Sequence, residues 1–367
     1  MKKYRIFWTC ILPEHLIAQY RLSFAACNFS YNLMSGCAFD KVYSSMPLYV
    51  GGEMSKEAFS DKRFELIYDR WRKAGKFKQK LATFKEQFTM FQQIPKDASV
   101  WFYNLNTLNA LLFVMLKLLK PSVQLNVIVL DFTPVNRGFG LNQIYLKLIN
   151  WAHGRICLAN SELFKKENSL VLPGVVPYSS KTRPEIKSIK KTFLLSGVLS
   201  EEISMLSMVL DVFSKLSEYE LHITGIKGNE LMLQQYANNH SNIHWHGQLP
   251  FNVYMELLHH ITFQLSTRDI NFPENQCNFP SKIIEALFHN RIIISTIHYP
   301  QIEGMKYFTV KPTKEEFHNG IRAIADLSDE ELLRYANQGN VVERLFGVEV
   351  WNQAMAKSRG IKHLRIK

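Results

Sequence analysis

Ser281, Lys282 and Glu285 carry the clearest chemistry in this chain. They belong to the run Gln276-Cys-Asn-Phe-Pro-Ser-Lys-Ile-Ile-Glu285, in which a polar loop passes through Pro280 into a short amphipathic helix. An apolar strand, Ile292 to Ile294, follows almost at once. A helix that begins this way offers free backbone N–H groups and the positive end of its dipole to an anion, usually a phosphate. Lys282 adds a full positive charge there. Glu285 stands just over one turn in, where a carboxylate can accept hydrogen bonds from a sugar diol. Phosphate and ribose can thus be held together, and the stretch reads as a nucleotide pocket.

Asp131, in Leu130-Asp-Phe-Thr-Pro134, ends the most strand-like segment of the first half. An ionised carboxylate there can act as general base on an acceptor hydroxyl, orient that hydroxyl, or stabilise positive charge developing on a donor. A turn cap before Pro134 is the plainer alternative. His15, Asn104 and Gly174 also fall at expected carboxyl ends of strands and are candidates for an acceptor side. His240, His244, His246, His259 and His260 lie on separate elements without tight repeated spacing, so no metal site is expected. Gly225-Ile-Lys-Gly228 lacks the ending of a Walker loop, and no G-x-S-x-G elbow is present.

These residues must be positioned by a sizeable fold. At 367 residues the chain favours two domains, and 47% apolar with 21% charged residues is the composition of a folded protein. The five cysteines form no CxxC pair, which argues against a disulfide framework or a zinc site and fits a reducing cytoplasm. Ile6 to Leu12 is too short a run for a signal peptide, and Leu108 to Leu119 is well short of the ~20 residues that span a bilayer. A net charge of +12 and a pI of about 9.3 favour an anionic partner.

Along the first half, strands are expected at Tyr4–Leu12, Val42–Ser44, Val100–Tyr103, Leu125–Leu130 and Arg155–Ala159, with helices at Leu108–Lys120 and Leu141–Trp151. That alternation implies a parallel sheet whose ligands gather at the carboxyl ends of its strands. The polar, basic stretch Tyr178–Lys191 reads as an interdomain linker. The rhythm then restarts: strand Thr192–Leu195, helix Glu201–Leu216, strand Leu221–Thr224, helix Glu230–Ala237, strand Ile243–Trp245, helix Asn252–Leu258 and strand Thr262–Leu265 lead into the opening motif. Glu315–Ala325, Asp329–Ala336 and Val348–Lys357 are helical by period, after a strand signal at Tyr307–Val310.

Lys62 to Phe88 stands apart. Phe64, Ile67, Trp71, Leu81, Phe84 and Phe88 recur at helical spacing, while Arg70, Arg72, Lys73, Lys76, Lys78, Lys80 and Lys85 crowd the rest. A basic amphipathic helix of this kind can lie on an anionic membrane, with Trp71, Arg72, Lys73, Lys76 and Lys80 in contact. A domain helix with a core stripe and solvated lysines is the alternative.

Four stretches, Phe193-Leu-Leu-Ser-Gly197, Leu221-His-Ile-Thr-Gly225, Asn242-Ile-His-Trp-His-Gly247 and Asn278-Phe-Pro-Ser-Lys-Ile-Ile-Glu285, follow one another in the order seen in one family. Together they resemble the carboxyl-terminal domain of GT-B glycosyltransferases, especially the retaining family-four enzymes. The resemblance implies an α/β fold of two Rossmann-like domains facing each other across a cleft, with C-terminal helices. It implies an acceptor domain over 1–177, a nucleotide-sugar donor domain over 192–345, and a terminal helix over 346–367 returning to the first domain. Donor contacts would fall on Gly197, Gly225, Gly247, Arg268, Asn278, Phe279, Pro280, Ser281, Lys282 and Glu285, with Glu285 on the ribose. Asp131 and Glu285 are the candidate catalytic carboxylates.

The chain departs from the family at three places. Cys277 stands where many members have a second glutamate, eight residues before Glu285, with Glu274 nearby as a substitute. Gly197-Val-Leu-Ser-Glu-Glu202 lacks the arginine and lysine usual after that strand, and Leu12-Pro-Glu-His15 replaces a glycine-rich loop. Phosphate neutralisation then falls on Lys282 and Arg268.

The expected function is transfer of a sugar from a UDP- or GDP-linked donor, without cofactor or metal, to a lipid-linked or polysaccharide acceptor in surface glycan synthesis. The expected setting is the cytoplasmic face of a membrane, with no nucleic-acid partner. A nucleotide-sugar 2-epimerase of the same fold and a non-catalytic basic scaffold are the alternatives.

Overall fold

The computed structural model describes residues 4–17, 24–45, 61–67, 76–134, 140–177 and 183–357. The chain divides into two compact units, one formed by Met1–Leu172 with Val348–Lys367 and the other by Pro173–Gly347.

Unit 1 contains β1 (Arg5–Thr9), α1 (Glu14–Ile17), α2 (Phe24–Gly36), β2 (Lys41–Ser44), β3 (Glu65–Leu66), α3 (Lys76–Gln93), β4 (Ser99–Tyr103), α4 (Ala110–Leu119), β5 (Gln124–Val129), α5 (Leu141–Trp151), β6 (Gly154–Cys157) and β7 (Ser169–Val171). Its sheet runs β3-β2-β1-β4-β5-β6-β7, parallel throughout. β1, β4 and β5 are buried on both faces and mostly apolar, as strands covered by helices on either side must be.

Unit 2 contains β8 (Thr192–Val198), α6 (Glu201–Ser204), α7 (Leu206–Phe213), β9 (Glu220–Ile226), α8 (Glu230–Asn239), β10 (Ile243–Trp245), α9 (Phe251–His260), β11 (Phe263–Ser266), α10 (Ser281–Phe288), β12 (Ile292–Ser295), β13 (Phe308–Thr309), α11 (Lys314–Ala325), α12 (Asp329–Leu333) and α13 (Gly339–Phe346). Its parallel sheet runs β10-β9-β8-β11-β12-β13. Phe193, Phe213 and Phe263 meet in the middle of its core, with Phe193 stacked on Phe263 at 4.7 Å and edge-on to Phe213 at 5.0 Å. Helix α14 (Val348–Lys357) then returns to unit 1, where Trp351 meets Phe29 edge-on at 5.2 Å and Asn352 accepts from Arg5 at 2.8 Å.

Several elements differ from the sequence expectation. The polar stretch 183–191 packs within unit 2, with Ile186 buried and Arg183 paired to Glu343 at 2.7 Å, and the contact boundary falls at Leu172–Pro173. The expected helix over Glu201–Leu216 is broken at Met205, which takes a left-handed φ of 49°, while the Glu201 carboxylate binds the Ser207 amide at 3.0 Å and caps the second helix. Helix α2 has no counterpart among the expected elements; its Ser30 is buried and hydrogen-bonded to Thr9 at 2.6 Å.

The single helix expected over Lys62–Phe88 is not formed. Phe64 and Ile67 are buried beside the short edge strand β3, and among the described residues the helix spans Lys76–Gln93. Trp71, Arg72 and Lys73 lie outside the described residues, Lys76 opens α3, and Lys80 is exposed on it.

Candidate functional site

In unit 2 the strand order reverses between β8 and β11, so the loops leaving the carboxyl ends of these neighbours diverge and open a crevice. Three glycines line the β8 side. Gly197 and Gly225 are register partners on β8 and β9, and the Gly247 carbonyl accepts from the Gly225 amide at 3.1 Å and the Thr224 hydroxyl at 2.7 Å. A Cβ on Gly225 would sit 2.0 Å from the Gly197 carbonyl oxygen, which is why only glycine fits there.

Helix α10 enters from the β11 side. Pro280 takes its N-cap position without a side-chain capping bond, Ser281 is the first helical residue, and Ile283, Ile284, Ala286 and Leu287 anchor the buried face. That burial turns Lys282 and Glu285 toward the remaining, half-buried face. Lys282 Nζ lies 3.3 Å from Glu285 Oε2 and 4.0 Å above the Tyr254 ring, while the Tyr254 hydroxyl donates to the same carboxylate at 2.9 Å. The Lys282 stem reaches the glycine row, since a Cβ on Gly197 would be 3.8 Å from Lys282 Cε.

Burial acts to lower the Lys282 pKa, but the Glu285 charge and the Tyr254 hydroxyl outweigh it and the net shift is upward. The ammonium therefore remains charged through neutral pH. Tyr254 is pushed up to about 12, first by burial and then by Glu285, so it stays a hydrogen-bond donor. The trio places a fixed cation and a carboxylate at the mouth of a helix amino terminus.

Phe279 is buried edge-on against Tyr299 at 5.0 Å, and Asn278 is half-buried beside it. Arg268 follows β11; its backbone amide donates to Thr296 at 2.6 Å and its guanidinium to Asn275 at 3.0 Å. Cys277 is buried, with its thiol directed at the Pro273 and Glu274 carbonyls at 3.6 and 3.5 Å, so it offers a ligand nothing comparable to a carboxylate. Glu274 lies in a short 3-10 turn, Pro273–Gln276.

The acceptor candidates lie elsewhere. Gly174 falls in unit 2 and backs α10, where a Cβ would meet Ile284 at 3.1 Å. In unit 1, Asp131 is exposed just past β5. Asn104, at a φ of 52°, uses its side-chain oxygen to accept from the Leu130 amide at 2.9 Å, a strand-end brace. His15 is exposed on α1, not in a loop after β1. Next to it in sequence, Glu14 accepts from Arg63 at 2.7 Å, and the Arg63 guanidinium also pairs with Asp61 at 2.7 Å and covers the Tyr31 ring at 4.3 Å. No sequence pattern marks this group, because Glu14, Tyr31 and the Asp61–Arg63 pair come from three separate parts of the chain. Tyr254 was likewise missed, because it reads as one more apolar-face residue of α9.

No family model matches the chain, and no curated protein matches it in sequence. Solved structures do. The amino-terminal domain of Candida albicans trehalose-6-phosphate phosphatase superposes with a TM-score of 0.68 at 11% identity, over 98% of this chain and 97% of that one. An α,α-trehalose-phosphate synthase (UDP-forming) from Burkholderia xenovorans, in complex with glucose-6-phosphate, gives 0.66 at 9% identity, over 97% and 99%. Anabaena HepE in complex with UDP and glucose gives 0.63 at 12% identity, over 97% and 99%. The chain thus has the GT-B fold over nearly its whole length.

Proposed function

We propose that the chain is a glycosyltransferase whose second unit holds a nucleotide-diphosphate sugar. The observation that carries this reading is the Lys282–Glu285–Tyr254 trio at the start of α10, facing a row of glycines across the crevice where strand order reverses. Lys282 and the free amides of α10 would take the diphosphate, and Glu285 the ribose diol. Charge on the departing nucleotide grows during transfer, so a fixed ammonium there stabilises the transition state more than the ground state. Names of structurally similar proteins favour UDP over GDP: the Burkholderia enzyme is UDP-forming, and HepE was captured with UDP-glucose. Asp131 is the carboxylate we assign to the acceptor hydroxyl.

Thermal unfolding in the presence of UDP, GDP and ADP tests donor binding. At one hundred times Kd, UDP should stabilise the protein by about 2.7 kcal/mol. Absence of a shift with every nucleotide, together with no nucleotide release from any sugar donor, would sink the enzyme reading.

The acceptor we propose is lipid-linked or a growing polysaccharide at an anionic membrane. Helix α3 supports this: Phe77, Leu81, Phe84 and Phe88 are spaced along one face and are 80%, 63%, 58% and 55% exposed, beside exposed Lys78, Lys80 and Lys85. A helix stripe in a folded domain is normally buried, and this one is not. Aromatic and leucine side chains flanked by lysines are the pattern of an interfacial helix. Among the described residues no helix is long and apolar enough to cross a membrane. Leu81→Asp with Phe84→Asp should lower co-sedimentation with phosphatidylglycerol-containing vesicles by more than about tenfold, since each side chain forfeits roughly 1.5 kcal/mol or more of burial. Unchanged sedimentation would remove the membrane from the proposal and leave the donor site untouched.

A further inference from the structure

Strands β9 and β10 form one edge of the unit 2 sheet. Their register sets His222 opposite His244, and side chains two apart on a strand share a face. Glu220 and His222 from β9 therefore meet His244 and His246 from β10 and its end. The His222 and His244 rings stack at 4.7 Å, and His222 and His246 at 5.2 Å. Glu220, His222 and His244 each present one ligand atom, all within 4.8 Å of one another.

We propose that Glu220, His222 and His244 bind a divalent transition-metal ion, zinc by preference, with His246 orienting His222. The hydrogen-bonding pattern supplies the reason. His222 Nδ1 lies 2.9 Å from His246 Nε2, while His222 Nε2 lies 3.8 Å from the Glu220 carboxylate. With Nδ1 donating its proton to His246, the Nε2 lone pair is aimed at the space between Glu220 and His244. Ligating histidines typically donate their other ring N–H to a second group in this manner.

Two nitrogens and one carboxylate oxygen suit zinc, cobalt or nickel, whereas magnesium and calcium prefer all-oxygen sets. Tetrahedral zinc holds its ligand atoms about 3.3 Å apart. The exposed Glu220 side chain can swing in to close the difference, and three protein ligands leave a fourth position open to water. The three ligands are set back from the glycine row, since His222 is three residues, about 10 Å of strand, before Gly225, and only the orienting His246 adjoins it through Gly247. Its place across the edge pair makes it a clamp between β9 and β10. A metal site was not expected from sequence because spacing along the chain shows neither register nor the part played by His222.

The test uses tag-free protein stripped with chelator and titrated with Zn²⁺. One equivalent should bind, and Zn²⁺ should raise the Tm. His222→Gln and His244→Gln should each weaken binding at least tenfold, His246→Gln by about 10–100-fold, and His318→Gln, on α11, not at all. Titration with Co²⁺ gives a readout that does not depend on variants. A ligand-field spectrum of a nitrogen and oxygen site without a thiolate charge-transfer band supports the assignment. A thiolate band would place the metal on a cysteine and overturn it. Absence of stoichiometric binding, or binding unchanged in the His222→Gln/His244→Gln double variant, would overturn it equally.

Discussion

Lys282→Ala is expected to lower donor turnover by about two to three orders of magnitude, the usual effect of removing one fixed group that stabilises developing negative charge. The loss should fall mainly on kcat, because the amides of α10 remain and still hold part of the ground-state diphosphate. Stability should drop far less. The Lys282–Glu285 pair is only partly buried, each side chain retaining 22% exposure, so breaking it should cost about 1 kcal/mol after solvent screening. The Tyr254 hydroxyl, which donates to Glu285 at 2.9 Å, is untouched by the substitution and should keep the carboxylate satisfied.

The pH behaviour follows from the same contacts. Lys282 has a raised pKa when folded, so its contribution is complete below the ordinary lysine range and fades only as pH rises through the raised value. Neutral and mildly alkaline buffers should therefore show no loss of nucleotide affinity from this group. Lys282→Arg restores charge but not the compact fit over the Tyr254 ring, and should recover only part of kcat. Steady-state kinetics of nucleotide release, paired with melting curves, separate the two effects. Turnover retained within threefold in a folded Lys282→Ala variant would remove the lysine from the mechanism.

Glu285 and Lys282 were legible in the sequence because local order suffices: a loop, a proline, a polar residue and an apolar-faced helix leave the i and i+3 positions on one side. The central strands were legible for a similar reason. Parallel strands covered on both faces, such as β4 and β12, carry short continuous apolar runs, Val100–Tyr103 and Ile292–Ile294. What sequence could not show depends on partners distant in the chain. Tyr254 acquires its role only because α9 packs beside α10. His222 faces His244 only through strand register. The stripe on α3 has the period of a core helix, and no pattern within the helix reveals whether a neighbour covers it. Met205 is a good helix former placed in a left-handed break, since Glu201 closes the turn onto Ser207.

Gly225→Ala should destabilise unit 2 by about 3 kcal/mol, among the larger costs of a single methyl group. The new Cβ would stand 2.0 Å from the Gly197 carbonyl oxygen, and 3.0 and 3.1 Å from the Gly197 carbon and nitrogen. All three are backbone atoms of the adjacent strand, so no rotamer change relieves the contact. Relief requires β8 and β9 to separate at their carboxyl ends, which strains the hydrogen bonds from the Gly225 amide to the Gly247 carbonyl at 3.1 Å and from the Leu199 amide to the Ile226 carbonyl at 2.9 Å. Gly247→Ala is the matched control. Its φ of 66° is left-handed, but nothing lies within 4 Å of the added carbon, so the cost is backbone strain alone, about 1–2 kcal/mol. Gly247→Asn should cost less again, because asparagine tolerates that conformation. With a Tm shift of roughly 2–4 °C per kcal/mol in a unit of this size, the two alanine variants should differ measurably in a melting curve. Equal shifts would mean that the close approach of β8 and β9 at the glycine row is absent, and with it the bare backbone surface that the donor site requires.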